Sequence, residues 1–138
     1  MKIQFIAGFG PVAPDKEVSL RLYRDTLGIP FTEQDGTATN ALEGAKYFSV
    51  WPLAEAALSC FGTNLWPAHI PAPQAWLEFD VESPEAVGAA ATELAEKGYR
   101  LLVKARLEPW GQTVTRLVSP EGLLVGVVFT PWLHEGTR

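Results

Sequence analysis

Between Ala75 and Val81 the side chains alternate without a break, with Leu77, Phe79 and Val81 facing one way and Trp76, Glu78 and Asp80 the other. Period two is the signature of a strand with one face on a core. Ser83-Pro84-Glu85 follows, and then Val87, Ala90, Ala91, Leu94 and Ala95 recur at helical spacing up to Gly98. The spacing predicts a helix with Ser83 as its N-cap, Pro84 in its first turn and Gly98 as its stop. Tyr99 to Lys104, Gln112 to Val118 and Leu123 to Thr130 then have strand character, separated by Pro109-Trp110-Gly111 and Ser119-Pro120-Glu121-Gly122 turns.

The first half has the same order. Ile3 to Phe9 predicts a strand with Ile3, Phe5 and Ala7 on one face and Gln4, Ile6 and Gly8 on the other, ended by a turn at Pro11 and Pro14. Asp15 caps a helix through Val18, Leu20, Leu22, Tyr23 and Leu27, which Gly28 and Pro30 terminate. Strand character returns at Phe31 to Asp35, around Ala41 to Glu43 and at Lys46 to Trp51, with turn signals at Asp35-Gly36 and Glu43-Gly44. Pro52 to Phe61 predicts a short helix that presents Leu53, Ala56, Ala57 and Cys60. Strand, Gly-terminated helix and three strands thus occur twice, in a first module of about residues 1–62 and a second of about 74–132. The proline-rich stretch 63–73 reads as an ordered linker.

A chain of 138 residues holds one ordinary domain, so the two modules must share a core. The predicted architecture is α+β: one domain over residues 1–138, with two βαβββ modules around one cupped mixed sheet. Hydrophobic residues make up 47% and charged residues 20%, which suits a globular chain. Eleven basic against 16 acidic residues give a net charge of −5, which argues against nucleic acid and favours cationic small molecules or basic partners. A lone Cys60 excludes an internal disulfide and reads as a small buried hydrophobe. The first apolar run is interrupted by Gln4 and ended by Pro11, too short for a signal sequence or a membrane span, so a cytoplasmic location without membrane attachment is expected.

Asp15 followed by Leu22-Tyr23-Arg24-Asp25-Thr26-Leu27-Gly28-Ile29 resembles the first helix of the vicinal oxygen chelate superfamily, which includes glyoxalases, extradiol dioxygenases and bleomycin-resistance proteins. Pro109-Trp110-Gly111-Gln112 and Ser119-Pro120-Glu121-Gly122-Leu123 resemble its C-terminal pattern, with Ser119 where the family usually has Asp. Metal-dependent members carry His on the first strand, His at the start of the fifth and Glu on the last. Counting from the motifs puts these positions at Gly8, Trp76 and Gly126, none of which coordinates a metal. A further Glu of some glyoxalases falls at Ser49 or Val50. His69 and His134 lie in the linker and the tail and read as solvated, as do Glu121 and Glu135. No metal and no cofactor are expected.

Trp51, Trp66, Trp76, Trp110 and Trp132, joined by Phe48 and Phe61, offer large rigid walls for a small-molecule cleft. Phe5 and Phe79 read instead as core residues packed against the helices. The expected ligand contacts are Trp76, Glu78, Trp110, Trp51, Phe48, Gly8, Gly126 and Arg116, with the two glycines opening room beside the Trp76 wall. The resemblance implies a metal-free protein that sequesters an aromatic, cationic, drug-like molecule, as bleomycin-resistance proteins do in the clefts of a homodimer. The alternatives are a glyoxalase-like lyase, isomerase or dioxygenase with a non-standard site, using either a shifted metal site or Glu78 as general acid or base, and a subunit whose cup holds a partner protein.

Overall fold

The computed structural model describes residues 1–134; Glu135 lies outside the described residues. In chain order the elements are β1 (Phe5–Ala13), α1 (Lys16–Leu20) running on as a π-helical segment (Arg21–Thr26), β2 (Ala38–Thr39), β3 (Phe48–Ser49), β4 (Trp51–Pro52), α2 (Leu53–Phe61), β5 (Ala75–Asp80), α3 (Pro84–Glu96), β6 (Val103–Leu107), β7 (Thr113–Val118) and β8 (Leu124–Phe129). The strands form one mixed sheet in the order β2-β3-β1-β5-β8-β7-β6, with β4 also paired to β1. The two modules meet where β1 runs antiparallel to β5. No described helix is long and apolar enough to cross a membrane.

The second module follows its pattern closely because its signals are local. Ser83 accepts from the Ala86 N–H and Pro84 opens α3, while Gly98 takes φ +91° and the Tyr99 N–H returns to the Leu94 carbonyl. That closure uses the residues just after the helix, so β6 begins at Val103 instead of Tyr99. Ser119 substitutes well for Asp: its Oγ accepts from the Leu123 N–H at 3.1 Å and holds the turn before β8.

The first module departs further. Residues 31–35 and 41–43 are not strands. Gln34 and Asp35 take φ of 52° and 56° ahead of Gly36 at 86°, a left-handed run that no strand accommodates. β1 passes through Pro11 to Ala13; the missing N–H falls where its neighbour changes from β3 at Phe9 to β4 at Val12, so no ladder bond is lost there. A bulge between Ile6 and Gly8 leaves Ala7 as an extra residue. Phe5 therefore pairs with Asp80 and faces the cup, not the helices, while Ile6 pairs with Phe79.

Packing differs on the two faces. On the convex side α3 sets Val87 and Ala90 against Val81 and Val127, and Leu20 on α1 packs with Ala13 and Val50. Inside the cup lies α2, whose Ala56 and Cys60 join Ala7, Val12, Trp76, Val103, Val114, Leu124 and Val128 in the largest core cluster. Burial pushes the Cys60 thiol up to about 11. Cys60 is expected to resist thiol reagents at pH 8 and to react fully once the chain is denatured, as a thiol-labelling time course with and without urea will read.

Candidate functional site

Strand register sets four residues side by side across the cup: Gly8 on β1 opposite Glu78 on β5, Glu78 beside Gly126 on β8, and Gly126 opposite Arg116 on β7. The Arg116 side chain crosses above Gly126 and Nη1 donates to Glu78 Oε2 at 2.6 Å. Both partners are buried, Arg116 at 1% and Glu78 at 7% exposure. A Cβ on Gly126 would lie 3.2 Å from both Arg116 Nη1 and Glu78 Cγ, so the absence of a side chain there lets the pair close. Glu78 Oε1 accepts from Gln112 Nε2 at 3.0 Å, Gln112 donates also to Thr130, and its Oε1 accepts from Trp110 Nε1. On the α2 side Arg116 Nε donates to Ser59 Oγ, which donates to Glu108, and Arg106 reaches Glu108 and the Ser59 carbonyl. The result is a polar network in which charge is paired at every buried step, as a low-dielectric floor requires.

Above this floor opens a cleft of about 510 Å³. Trp76 forms its base: Nε1 donates to the Ser49 carbonyl at 3.1 Å, and the ring meets Tyr47 and Trp51 at centroid distances of 6.2 and 6.0 Å. Trp51 lies over the Arg116 guanidinium at 5.0 Å. At the rim stand Trp110 and Trp132, 46% and 58% exposed. The first is aimed by its turn, where the Gly111 N–H closes onto the Glu108 carbonyl and Gly111 takes φ +100°. The left-handed Gln34–Asp35 segment is also at the rim and turns Glu33, Gln34 and Thr37 toward the opening; strained backbone of this kind concentrates at binding sites. Among the described residues, the charges facing the cleft without an ion-pair partner are the exposed carboxylates of Glu33 and Glu55 and the Lys46 ammonium, the last lying 4.7 Å over the Phe5 ring.

Burial, with the Glu78 and Glu33 carboxylates nearby, pushes the Tyr47 hydroxyl up to about 12. A raised folded value gives stability that is complete below pH 10 and is lost as pH rises toward 12. Alkaline denaturation should therefore set in over that window and be shallower in Tyr47→Phe, which a urea midpoint measured from pH 9 to 12 will show. Two residues beyond Glu78 along β5, Asp80 is fully buried and accepts from the Thr130 N–H at 3.1 Å and from His134. Burial raises its carboxyl despite those bonds.

No protein-family model matches this chain, and no curated protein matches it by sequence. Solved structures do match it by shape. The benzaldehyde dehydrogenase structure from Legionella pneumophila, described as NAD-dependent, superposes with a TM-score of 0.60 at 16% identity, over 88% of this chain and 96% of that one. A glyoxalase/bleomycin resistance protein/dioxygenase superfamily member from Vibrio splendidus gives 0.54 at 16% identity, over 94% and 100%. Streptomyces coelicolor methylmalonyl-CoA epimerase, in complex with 2-nitronate-propionyl-CoA, gives 0.52 at 18% identity, over 94% and 96%. This is the vicinal oxygen chelate fold.

A divalent metal at the usual centre of that fold does not fit these residues. Trp76, which cannot ligate a metal, pairs with Gly10 and Leu124, and Glu78 is the residue in line with Gly8 and Gly126. Glu78 is the single carboxylate of the row, and a guanidinium already stands against it. Among the described residues no three His, Cys, Asp or Glu side chains converge as metal ligands.

The cleft gathers Trp51, Trp76, Glu78, Trp110 and Arg116, five of the eight expected contacts. Phe48 is not among them: it packs on the convex side against Phe9, Tyr23 and Phe31. Neither glycine opens room. The space beside Gly8 is filled by the Trp76 ring, whose Cη2 would sit 2.8 Å from an added Cβ, and the space at Gly126 by the ion pair. His134 is not a solvated tail residue, since its ring lies between Phe5 and Phe129 at 5.3 and 4.6 Å; His69 is exposed. The pattern of residues did not signal Glu33, Glu55 or Tyr47, which reach the site through loop geometry. Gln112 was signalled only as part of the Pro-Trp-Gly-Gln motif.

Proposed function

We propose that this protein binds an aromatic, positively charged small molecule in the Trp-lined cleft without using a metal. The observation that carries the reading is the pairing of rim aromatics with free carboxylates. Trp51, Trp110 and Trp132 present faces or edges to a ring system, while Glu33 and Glu55, which make no side-chain hydrogen bond or ion pair with described residues, face the same space. With Glu78 and Arg116 neutralising each other and Lys46 alone opposing the two glutamates, the cleft carries one net negative charge, in keeping with the acidic chain. An aromatic wall adds cation–π attraction to the area it buries. Sequestration needs nothing more than affinity, and a cleft of this volume suits a drug-sized ligand.

Tryptophan emission titrated with aromatic antibiotics matched in shape but opposite in charge tests this. Cationic members should shift the emission and anionic ones should not. Trp110→Ala should weaken the cationic ligands by about tenfold, the worth of one stacked ring. Glu33→Gln with Glu55→Gln should cost a few-fold, as expected of exposed charges, and remove the preference for cations. Equal binding of both charge classes by the wild type would sink the reading.

A further inference from the structure

We infer that the Arg116 guanidinium, at the floor of the cleft, receives an oxygen of the ligand, a carbonyl or carboxylate, at Nη2. The inference rests on the cleft being a small-molecule site and names the second group its ligand must carry. Three observations support it. Arg116 ends the row that runs through Gly8, Glu78 and Gly126, its side chain crosses Gly126 to reach Glu78, and it lines the cleft. Two of its three nitrogens are committed, Nη1 to Glu78 and Nε to Ser59, and Trp51 covers one face of the group, so the guanidinium is held in a single orientation. Nη2 has no hydrogen-bond partner among the described residues. Because no fully buried polar side-chain atom there is left without a partner, Nη2 is not sealed in the core, and the cleft is the space that Arg116 borders.

A guanidinium fixed in this way is a pre-oriented donor of permanent charge, suited to a planar oxygen acceptor. With its charge already balanced by Glu78, what it offers the ligand is an N–H donor held at a set point in the floor of the cleft. With Glu33 and Glu55 at the rim and Arg116 at the floor, the ligand class becomes an aromatic amine that also bears a carbonyl or carboxylate, its amine outward and its oxygen inward.

Calorimetric titration with two probes reads this directly: 1-naphthylmethylamine, an aromatic cation without the oxygen, and 1-naphthylglycine, which adds a carboxylate. Wild type should bind the second at least tenfold more tightly. The double variant Arg116→Met/Glu78→Gln removes the charge pair without stranding either partner, and its fold is checked by circular dichroism. It should lose that advantage, with affinity for the second probe falling at least tenfold further than affinity for the first. Arg116→Lys, which retains a cation beside Glu78, should keep part of the advantage. Equal affinities of the wild type for the two probes, or equal changes of both in the double variant, would overturn the role of Arg116 while leaving the aromatic-cation site standing. Failure of the wild type to bind either probe at millimolar concentration would overturn both.

Discussion

Glu78→Ala is expected to lower the free energy of unfolding by about 3–5 kcal/mol, the cost of stranding a buried charge. Arg116, at 1% exposure, would lose its 2.6 Å carboxylate partner. Gln112 Nε2 would lose an acceptor in the same step and keep only Thr130. A domain of this size has about 5–15 kcal/mol in total, so the variant should unfold at far lower urea than wild type at pH 7. Arg116→Met/Glu78→Gln should regain most of the loss, because an apolar side chain over Gly126 replaces a pair whose attraction is largely offset by desolvation. A loss below about 1 kcal/mol in Glu78→Ala would mean that the pair is solvated and that the cleft has no dry floor.

Gly10→Ala should be the most damaging single methyl in the chain. An ideal Cβ there would sit 1.9 Å from the Ser49 carbonyl oxygen and 2.9 Å from its carbon, and that same oxygen holds Trp76 Nε1. The obstacle is backbone of the neighbouring strand segment, so relief requires β1 to move away from β3 and β4 and the Trp76 ring to lose its anchor. The cost should reach or exceed about 3 kcal/mol, the upper range for overpacking. Gly88→Ala is the internal comparison: it lies in α3 with nothing within 4 Å of an added Cβ and should stabilise by up to about 1 kcal/mol from helix propensity. Thermal melts of the two variants should therefore move in opposite directions. A neutral Gly10→Ala would show that β1 and β3 are not in close contact.

What could be read from residues alone follows from how local each signal is. Ser83, Pro84 and Gly98 act within one turn of their own helix, so α3 was legible to the residue. The alternation of β5 was legible because its cup face is almost entirely buried, at Trp76, Glu78 and Asp80. Ala7 was not, since a bulge exists only relative to the partner strand, and it reversed the face of Phe5. Counting along β5 reached Trp76, whose ring fills the space beside Gly8; that Glu78 pairs directly with Gly8 and Gly126 follows only from cross-strand register, which counting along one strand does not give. Five wall and floor residues were visible as Trp, Arg and Glu on predicted strands or in the Pro-Trp-Gly turn. Glu33 was hidden in a segment with strand character whose left-handed Gln34–Asp35 backbone no local signal announced.

The most direct test of the account is a calorimetric titration of 1-naphthylmethylamine into protein dialysed against EDTA, repeated after adding equimolar zinc, nickel or ferrous iron. The account predicts one site per chain with the same affinity in all four titrations. Binding that appears only when a metal is returned would contradict it.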